Sequence, residues 1–412
     1  MYSNRDFLNS ENWDVLLQSL AQQSPLVILE SQDQSGASYV AAFPEKVHRM
    51  HELTKQQLTD FESIIHSKTW LFGFISYDIK NAFEQLASKN PNPIGLPHVW
   101  FMEPRLILKK TSEHPFIEVI RGNISMIPDV SHISIKTQVS KPFCDETIET
   151  YTQKIRKIQE YIREGRVYEV NLSRLIRYSF SGEPYQLYKA MQHSGPVPMA
   201  AFIQTQDWAV CSASPEVFLI KKGAKIESRP IKGTRKRHTN DVEDAQLIRE
   251  LQSSEKEKAE NLMIVDLVRN DFNRVAKPGS VVVDKLFTIH SYATAHQMES
   301  VVIAELESEK TLFDVLKAAF PMGSMTGAPK IEAMRVIDEL ETYQRNIYSG
   351  AIGFIDPEQN AQFNVVIRTG VIRNNELLYG VGGAITSDSD PIQEWQETEV
   401  KTQALVQALN HL

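Results

Sequence analysis

Apolar and polar residues alternate along much of this chain, with a few stretches of helical spacing between. Leu26-Val27-Ile28-Leu29-Glu30-Ser31 is a short apolar run entering polar residues, the pattern of a buried strand. Trp70–Asp78 is aromatic and strand-like, and its Gly73 suggests a close backbone approach. Further strands are predicted at Val99–Met102, Leu106–Lys109, Phe116–Arg121, Val167–Leu172, Met199–Gln204, Trp208–Ser212, Val281–Leu286, Gly350–Ile355, Phe363–Arg373 and Leu377–Val381. Helices are expected at Trp13–Leu20, His48–His66 and Glu243–Asn270. Ile148, Tyr151, Ile155, Ile158 and Ile162 mark another, with Asp145 as N-cap and Gly165 as the stop. Thr311 and Asp314 form a capping box for Leu312–Phe320, and Asp390-Pro391 opens the last helix.

One hairpin stands out. Val217-Phe218-Leu219-Ile220 runs into the turn Lys221–Ala224 and returns along Lys225–Ile231. Facing residues in a hairpin have a constant index sum, which puts Glu216 opposite Lys232 to within a register step. Such a pair is either a cross-strand ion pair or a proton donor beside a nucleophile or base.

Other candidate chemistry lies in loops and at helix ends. Pro321–Lys330 is a glycine-bearing loop running into a helix, where Ser324 could meet an anion. Gly380–Ala384 is a small-residue loop with exposed backbone N–H groups, including Gly382, Gly383 and Ala384. Arg368 is predicted inside the apolar strand Val365-Val366-Ile367 and needs an ion-pair partner or a ligand carboxylate. Glu257/Glu260 and Glu394/Glu397 are two i, i+3 carboxylate pairs, each a solvated helix face or, together, ligands for a hard divalent cation. Arg235–His238 reads as a solvated loop.

Composition narrows the field. The 412 residues are 42% hydrophobic, ample for a large core. A net charge of −8 argues against nucleic-acid binding, which leaves a basic footprint. Two cysteines without a CxxC exclude a disulfide framework and a Cys-rich zinc site, and a reducing cytosol is expected. The polar start predicts no signal peptide, and no apolar run approaches the ~20 residues needed to span a bilayer. Ser125–Asp145 is the best candidate linker, but no second core is evident before it. Residues 1–140 are therefore expected to be the N-terminal part of one fold and 141–412 its catalytic region.

SPE, PIKGT, ENLMIVDLVRND, GSMTGAPK, YSGAIGF, VVIRTG and GGA…EWQET occur in this order. With them the chain resembles the chorismate-utilising enzymes, in their aminodeoxychorismate synthase component I branch, most specifically over residues 150–412. The resemblance implies an α/β (α+β) fold, one large domain of two antiparallel sheets packed as a sandwich with helices outside. It implies Mg²⁺ held by Glu260 and Glu397, assisted by Glu257 and Glu394. Ser324 and the backbone of Gly382, Gly383 and Ala384 would hold the ring carboxylate of chorismate, and Tyr348 and Arg368 the enolpyruvyl carboxylate. Anthranilate synthases have alanine where this chain has Lys232. The lysine implies attack at C2, with Glu216 as general acid at the C4 hydroxyl and ammonia then adding at C4. Burial is expected to lower the pKa of the lysine once the cleft closes. Anthranilate synthase component I is the alternative. No Gly-x-Cys-x-Gly loop surrounds Cys144 or Cys211, so glutamine use implies a separate amidotransferase subunit, and a separate lyase would follow.

The chain departs from the family at three positions. Glu169 stands where isochorismate synthases have a lysine and other amine-transferring members usually have glutamine. Gln297 takes the place of a family histidine, and His296 is displaced by one. Val27–Ser31 is only a fragment of the family's tryptophan-inhibition motif, so no feedback is expected.

Overall fold

The computed structural model describes residues 9–33, 36–52, 54–128, 137–192, 195–292 and 295–412. Residues 129–136 of the expected linker lie outside the described residues.

The long strand Val99–Lys110 joins two antiparallel sheets. It pairs along its length with Ser38–Met50, and its first residues also pair with Leu71–Ile75. One sheet continues from Ser38–Met50 through Leu26–Glu30, Met199–Gln204, Trp208–Ser214, Thr369–Arg373 and Glu376–Ile385 to Glu169–Ser181. The other runs from Leu71–Ile75 through Ala351–Ile355, Ala361–Asn364, Val217–Lys222 and Lys225–Arg229 to Ala295–Glu305. That last strand also carries Ile231–Lys236 and Val282–Ser291.

Alternating side chains of both sheets meet in a core that includes Phe72, Phe74, Ile203, Val210, Phe354 and Leu378. Helices cover the outside. Trp13–Leu20, Pro184–Gln192 and Pro391–Asn410 bury their apolar faces on the first sheet. Lys55–Ile65, Glu255–Asn273 and Leu312–Ala319 do so on the second. Ile148–Arg163 and Lys330–Leu340 pack on the strand Glu169–Ser181. The expected α+β sandwich with outer helices is what the chain forms.

Four local expectations need correction. His48 belongs to a strand, paired with Phe101, and the helix begins at Lys55; sheet pairing overrides the helical spacing of the earlier part. The helix expected over Glu243–Asn270 is two, Asp241–Ser253 and Glu255–Asn273. Ser254 leaves helical geometry and its side chain accepts from Glu257 N, a capping signal inside the run. Thr147, not Asp145, caps Ile148–Arg163. Phe363–Arg373 is not one strand: Ala361–Asn364 lies in the second sheet and Thr369–Arg373 in the first. Residues 365–368 are the crossing, and Arg368 sits there at φ 50 rather than in a strand.

Candidate active site

The crossing and the broken hairpin bring the two sheets' functional residues together. Val217 pairs with Arg229, so Glu216 faces the Pro230–Ile231 step and not Lys232. Proline cannot donate to a ladder. The hairpin therefore ends at Pro230, and Ile231–Lys236 continues against Ala295–Glu305 with a register shift at 231–234, where Gly233 takes φ +84. A Cβ on Gly233 would stand 2.9 Å from Glu257 Oε2. The expected Glu216–Lys232 pairing is replaced by another: Lys232 Nζ donates to Glu169 Oε1 at 2.9 Å, with both side chains buried.

Glu216 is buried and accepts a 2.7 Å hydrogen bond from Ser324 Oγ. Burial pushes its carboxyl up to about 7, against the pull of that hydrogen bond and of the Lys232 charge. A carboxyl in that range can carry a proton at neutral pH and give it up. For Lys232 the expected sign is reversed. Burial is the largest influence and acts to lower its pKa, but Glu169, Glu260 and Glu216 together outweigh it, and the net shift is upward. The resting amine is an ammonium.

The acidic helix ends form the other side. Glu257 Oε1 accepts from Arg235 Nη1 at 3.1 Å. Arg237 Nε in turn reaches Asp244, so this basic segment is tied to the helices rather than merely solvated. Glu260 is pushed up to about 7 by burial first, with Lys232 pulling it down and Glu169 pushing it up. Glu394 Oε1 accepts from Ser389 Oγ at 2.7 Å, and burial raises its pKa. Its buried Oε2 has no partner among the described residues. Glu397 pairs with Lys401 at 2.6 Å; partial burial pushes its pKa up, but Lys401, with Lys232 and Lys256 behind it, brings it below the usual range. A Cβ on Gly383 would stand 3.2 Å from Glu394 Oε2 and 3.5 Å from Glu397 Oε1, so the Gly382-Gly383-Ala384 backbone lies against this pair. Lys232 and Lys256 act on both Glu260 and Glu397, which places the two helices at one mouth. Among the described residues no three acidic, histidine or cysteine side chains stand together as a ready cation site. The donors present are hard carboxylate oxygens, and Mg²⁺ commonly takes one or two of these plus water and substrate oxygens. The unpartnered Glu394 Oε2 fits that use.

Arg368 lies within the electrostatic influence of Glu216. Burial lowers the Arg368 pKa against the opposing influence of Tyr379 and Glu216, and no side-chain hydrogen bond or ion pair holds its guanidinium among the described residues. It stands ready for a ligand carboxylate. The Tyr348 ring is buried against Gly380, where a Cβ would come within 2.5 Å of it.

Sequence reasoning flagged Glu169 without giving it a role, and missed Asn171, Glu341 and Arg345. Glu169 and Asn171 project from one face of the strand Glu169–Ser181, and Asn171 Nδ2 donates to Ser324 O at 3.3 Å. Glu341 and Arg345 form a buried i, i+4 pair. Arg345 also donates to Met325 O and Asn171 O, each at 2.7 Å, and lies 5.8 Å from the Tyr348 ring centroid. The signal was present as two opposite charges four apart, but nothing local marks them as buried. His296 is bonded to Asp244 and Ser291, at 2.9 and 2.7 Å, and Gln297 is buried on the neighbouring position.

The family model described as "chorismate binding enzyme" matches residues 13–407, and the chain belongs to that family. It is 46% identical over 261 residues to the aminodeoxychorismate synthase of Streptomyces griseus, covering 63% of this chain and 36% of that protein. It is 33% identical over 364 residues to anthranilate synthase component 1 of Aquifex aeolicus, covering 82% of this chain and 74% of that protein. In structure it is similar to anthranilate synthase component I from Streptococcus pneumoniae, with a TM-score of 0.79 at 25% identity over 90% of this chain and 92% of the other.

Proposed function

We propose that the chain converts chorismate and ammonia to 4-amino-4-deoxychorismate, a step toward para-aminobenzoate and folate. The observation that carries this reading is Lys232, a buried amine 2.9 Å from Glu169 Oε1 and within the electrostatic reach of Glu216. Arg368 and Tyr348 would grip the enolpyruvyl carboxylate. Ser324 and the backbone of Gly382, Gly383 and Ala384 would receive the ring carboxylate. Glu260 and Glu397 would hold Mg²⁺, with Glu257 and Glu394 beside them; bound there, the ion supplies positive charge to the ring carboxylate.

Glu216, carrying a proton at neutral pH, gives it to the departing C4 hydroxyl. Lys232 loses its proton, and its nitrogen bonds to C2. Ammonia then bonds to C4 and the bond between Lys232 and C2 breaks, which restores the amine. This splits one displacement into two and leaves nitrogen at C4. The Glu216 carboxylate left by the first step takes the Lys232 proton, since the two groups lie within electrostatic reach of each other.

Ammonia would come from glutamine through a separate amidotransferase subunit, since neither cysteine lies in a glutaminase loop and Cys211 is buried with its thiol pushed upward by burial. A separate lyase would remove pyruvate, and a reducing cytosol suits the two free cysteines. No helix among the described residues is long and apolar enough to cross a membrane.

The second reading is anthranilate synthase component I, favoured by the longer alignment with the Aquifex protein. Incubation with chorismate, Mg²⁺ and ammonium separates the two. Aminodeoxychorismate, and an adduct on the Lys232 peptide when ammonium is omitted, are expected. Fluorescent anthranilate formed without a lyase would establish the alternative.

A further inference from the structure

Two buried acceptor oxygens on the strand that meets Lys232 have no hydrogen-bond donor among the described residues: Glu169 Oε2 and Asn171 Oδ1. Glu169 is 0% exposed and Asn171 7%. Each side chain is held by its other end. Glu169 Oε1 accepts from Lys232 Nζ, and Asn171 Nδ2 donates to Ser324 O. The second contact also assigns the Asn171 amide, because a flipped amide would set two oxygens against each other.

The two residues are i, i+2 on one strand, so their side chains leave the same face about 6.6 Å apart at the backbone. One nitrogen making two hydrogen bonds of about 2.9 Å can bridge acceptors up to about 5.8 Å apart. A carboxylate and an amide oxygen only accept, so the missing group is a donor with at least two N–H or O–H bonds. Its charge is also indicated. With Glu216 holding its proton, Glu169 still shares the single positive charge of Lys232 with Glu260, which at about 7 is partly ionised at neutral pH.

We propose that Glu169 and Asn171 form the seat of the nitrogen substrate, taken up as the ammonium ion. This deepens the amine-transfer reading and rests on it for the fate of the bound nitrogen. Ammonium hands one proton to the Glu169 carboxylate and becomes ammonia. The ammonia lone pair forms the bond to C4 as the bond between C2 and Lys232 breaks. Lys232 takes the proton from Glu169, and the product leaves with its amine protonated, so charge and protons balance.

Glu169→Gln tests the site, because it keeps the shape and one acceptor oxygen but removes the charge. Three measurements are made: adduct formation with chorismate alone, the KM values for chorismate and ammonium, and saturable binding of ¹⁵N-ammonium by NMR. The adduct should still form, which also reports a folded site. The chorismate KM should stay within about threefold, the ammonium KM should rise at least tenfold, and the NMR binding should be lost. An unchanged ammonium KM with unchanged NMR binding overturns the proposal. So does a rise confined to the chorismate KM, which would give the free oxygen to a substrate hydroxyl instead. If the wild type binds ammonium through Glu169 yet forms no aminodeoxychorismate, the site stands and the reaction assigned above falls. If aminodeoxychorismate forms while Glu169→Gln leaves ammonium KM and binding untouched, the reaction stands and the site falls.

Discussion

Ser324 Oγ donates to Glu216 Oε1 at 2.7 Å, tying the Gly323–Met325 turn to the residue before the hairpin strand. The serine thereby fixes the direction of a carboxyl that burial has moved from 4.5 to about 7. Folding holds that proton more tightly than the unfolded chain does. Glu216 therefore lowers stability progressively as pH rises from 4.5 to 7, by a limiting amount of about 3 kcal/mol above that window. Glu216→Gln should abolish turnover and yet raise stability at pH 8 relative to wild type, with a much smaller gain at pH 4.5. Urea unfolding at the two pH values reads the difference. Equal effects at both would mean that Glu216 does not titrate in this window.

Glu260→Ala and Glu397→Ala should leave the fold intact, since neither side chain belongs to the apolar cores. Turnover of chorismate should fall by roughly 100-fold or more as the cation is lost or misplaced. Calorimetric titration of Mg²⁺ into each variant with chorismate present should show weakened binding. Wild-type turnover of either variant in a chelator would remove the metal assignment.

Arg345 and Glu341 are each 1% exposed at the side chain and 2.6 Å apart. Arg345→Leu leaves a buried carboxylate without its partner and should cost about 3–5 kcal/mol of stability. Replacing both residues by leucine should recover much of that loss. Denaturant unfolding of the single and double variants forms the test, and a single variant as stable as wild type would contradict the burial described. Even where stability recovers, activity should not, because Arg345 also holds the backbone oxygens of Met325 and Asn171.

Much of the fold was legible because strands and helices announce themselves through local period. The Thr311–Asp314 capping box is present as read. So is the turn of the hairpin, where Lys222 faces Lys225. Gly383 lies against Glu394 and Glu397 as expected, but Gly380–Ala384 belongs to the strand Glu376–Ile385, paired with Glu169–Ser181, and is not a loop. Two of the misreadings share one cause. The strand carrying His48 has helical spacing but is held by pairing with Val99–Lys110, more than fifty residues away in sequence. Arg368 looked like part of one strand because both flanking strands are apolar, and only the arrangement of two sheets makes residues 365–368 a crossing between them.

The sequence alone determined which chemical groups are available: one lysine in PIKGT, one glutamate in SPE, two carboxylate pairs, an arginine among valines and two small-residue stretches. Their order along the chain also carried the family, because the spacing of these groups is a one-dimensional property. Their partners were decided only in three dimensions. Lys232 meets Glu169 across 63 residues and Ser324 meets Glu216 across 108, through strands brought together by sheet register and by the break at Pro230. The charge of Lys232 followed from the same placement. Burial by itself would have lowered its pKa, and the three carboxylates that reverse this stand on a strand, a helix and a hairpin whose approach no local pattern encodes.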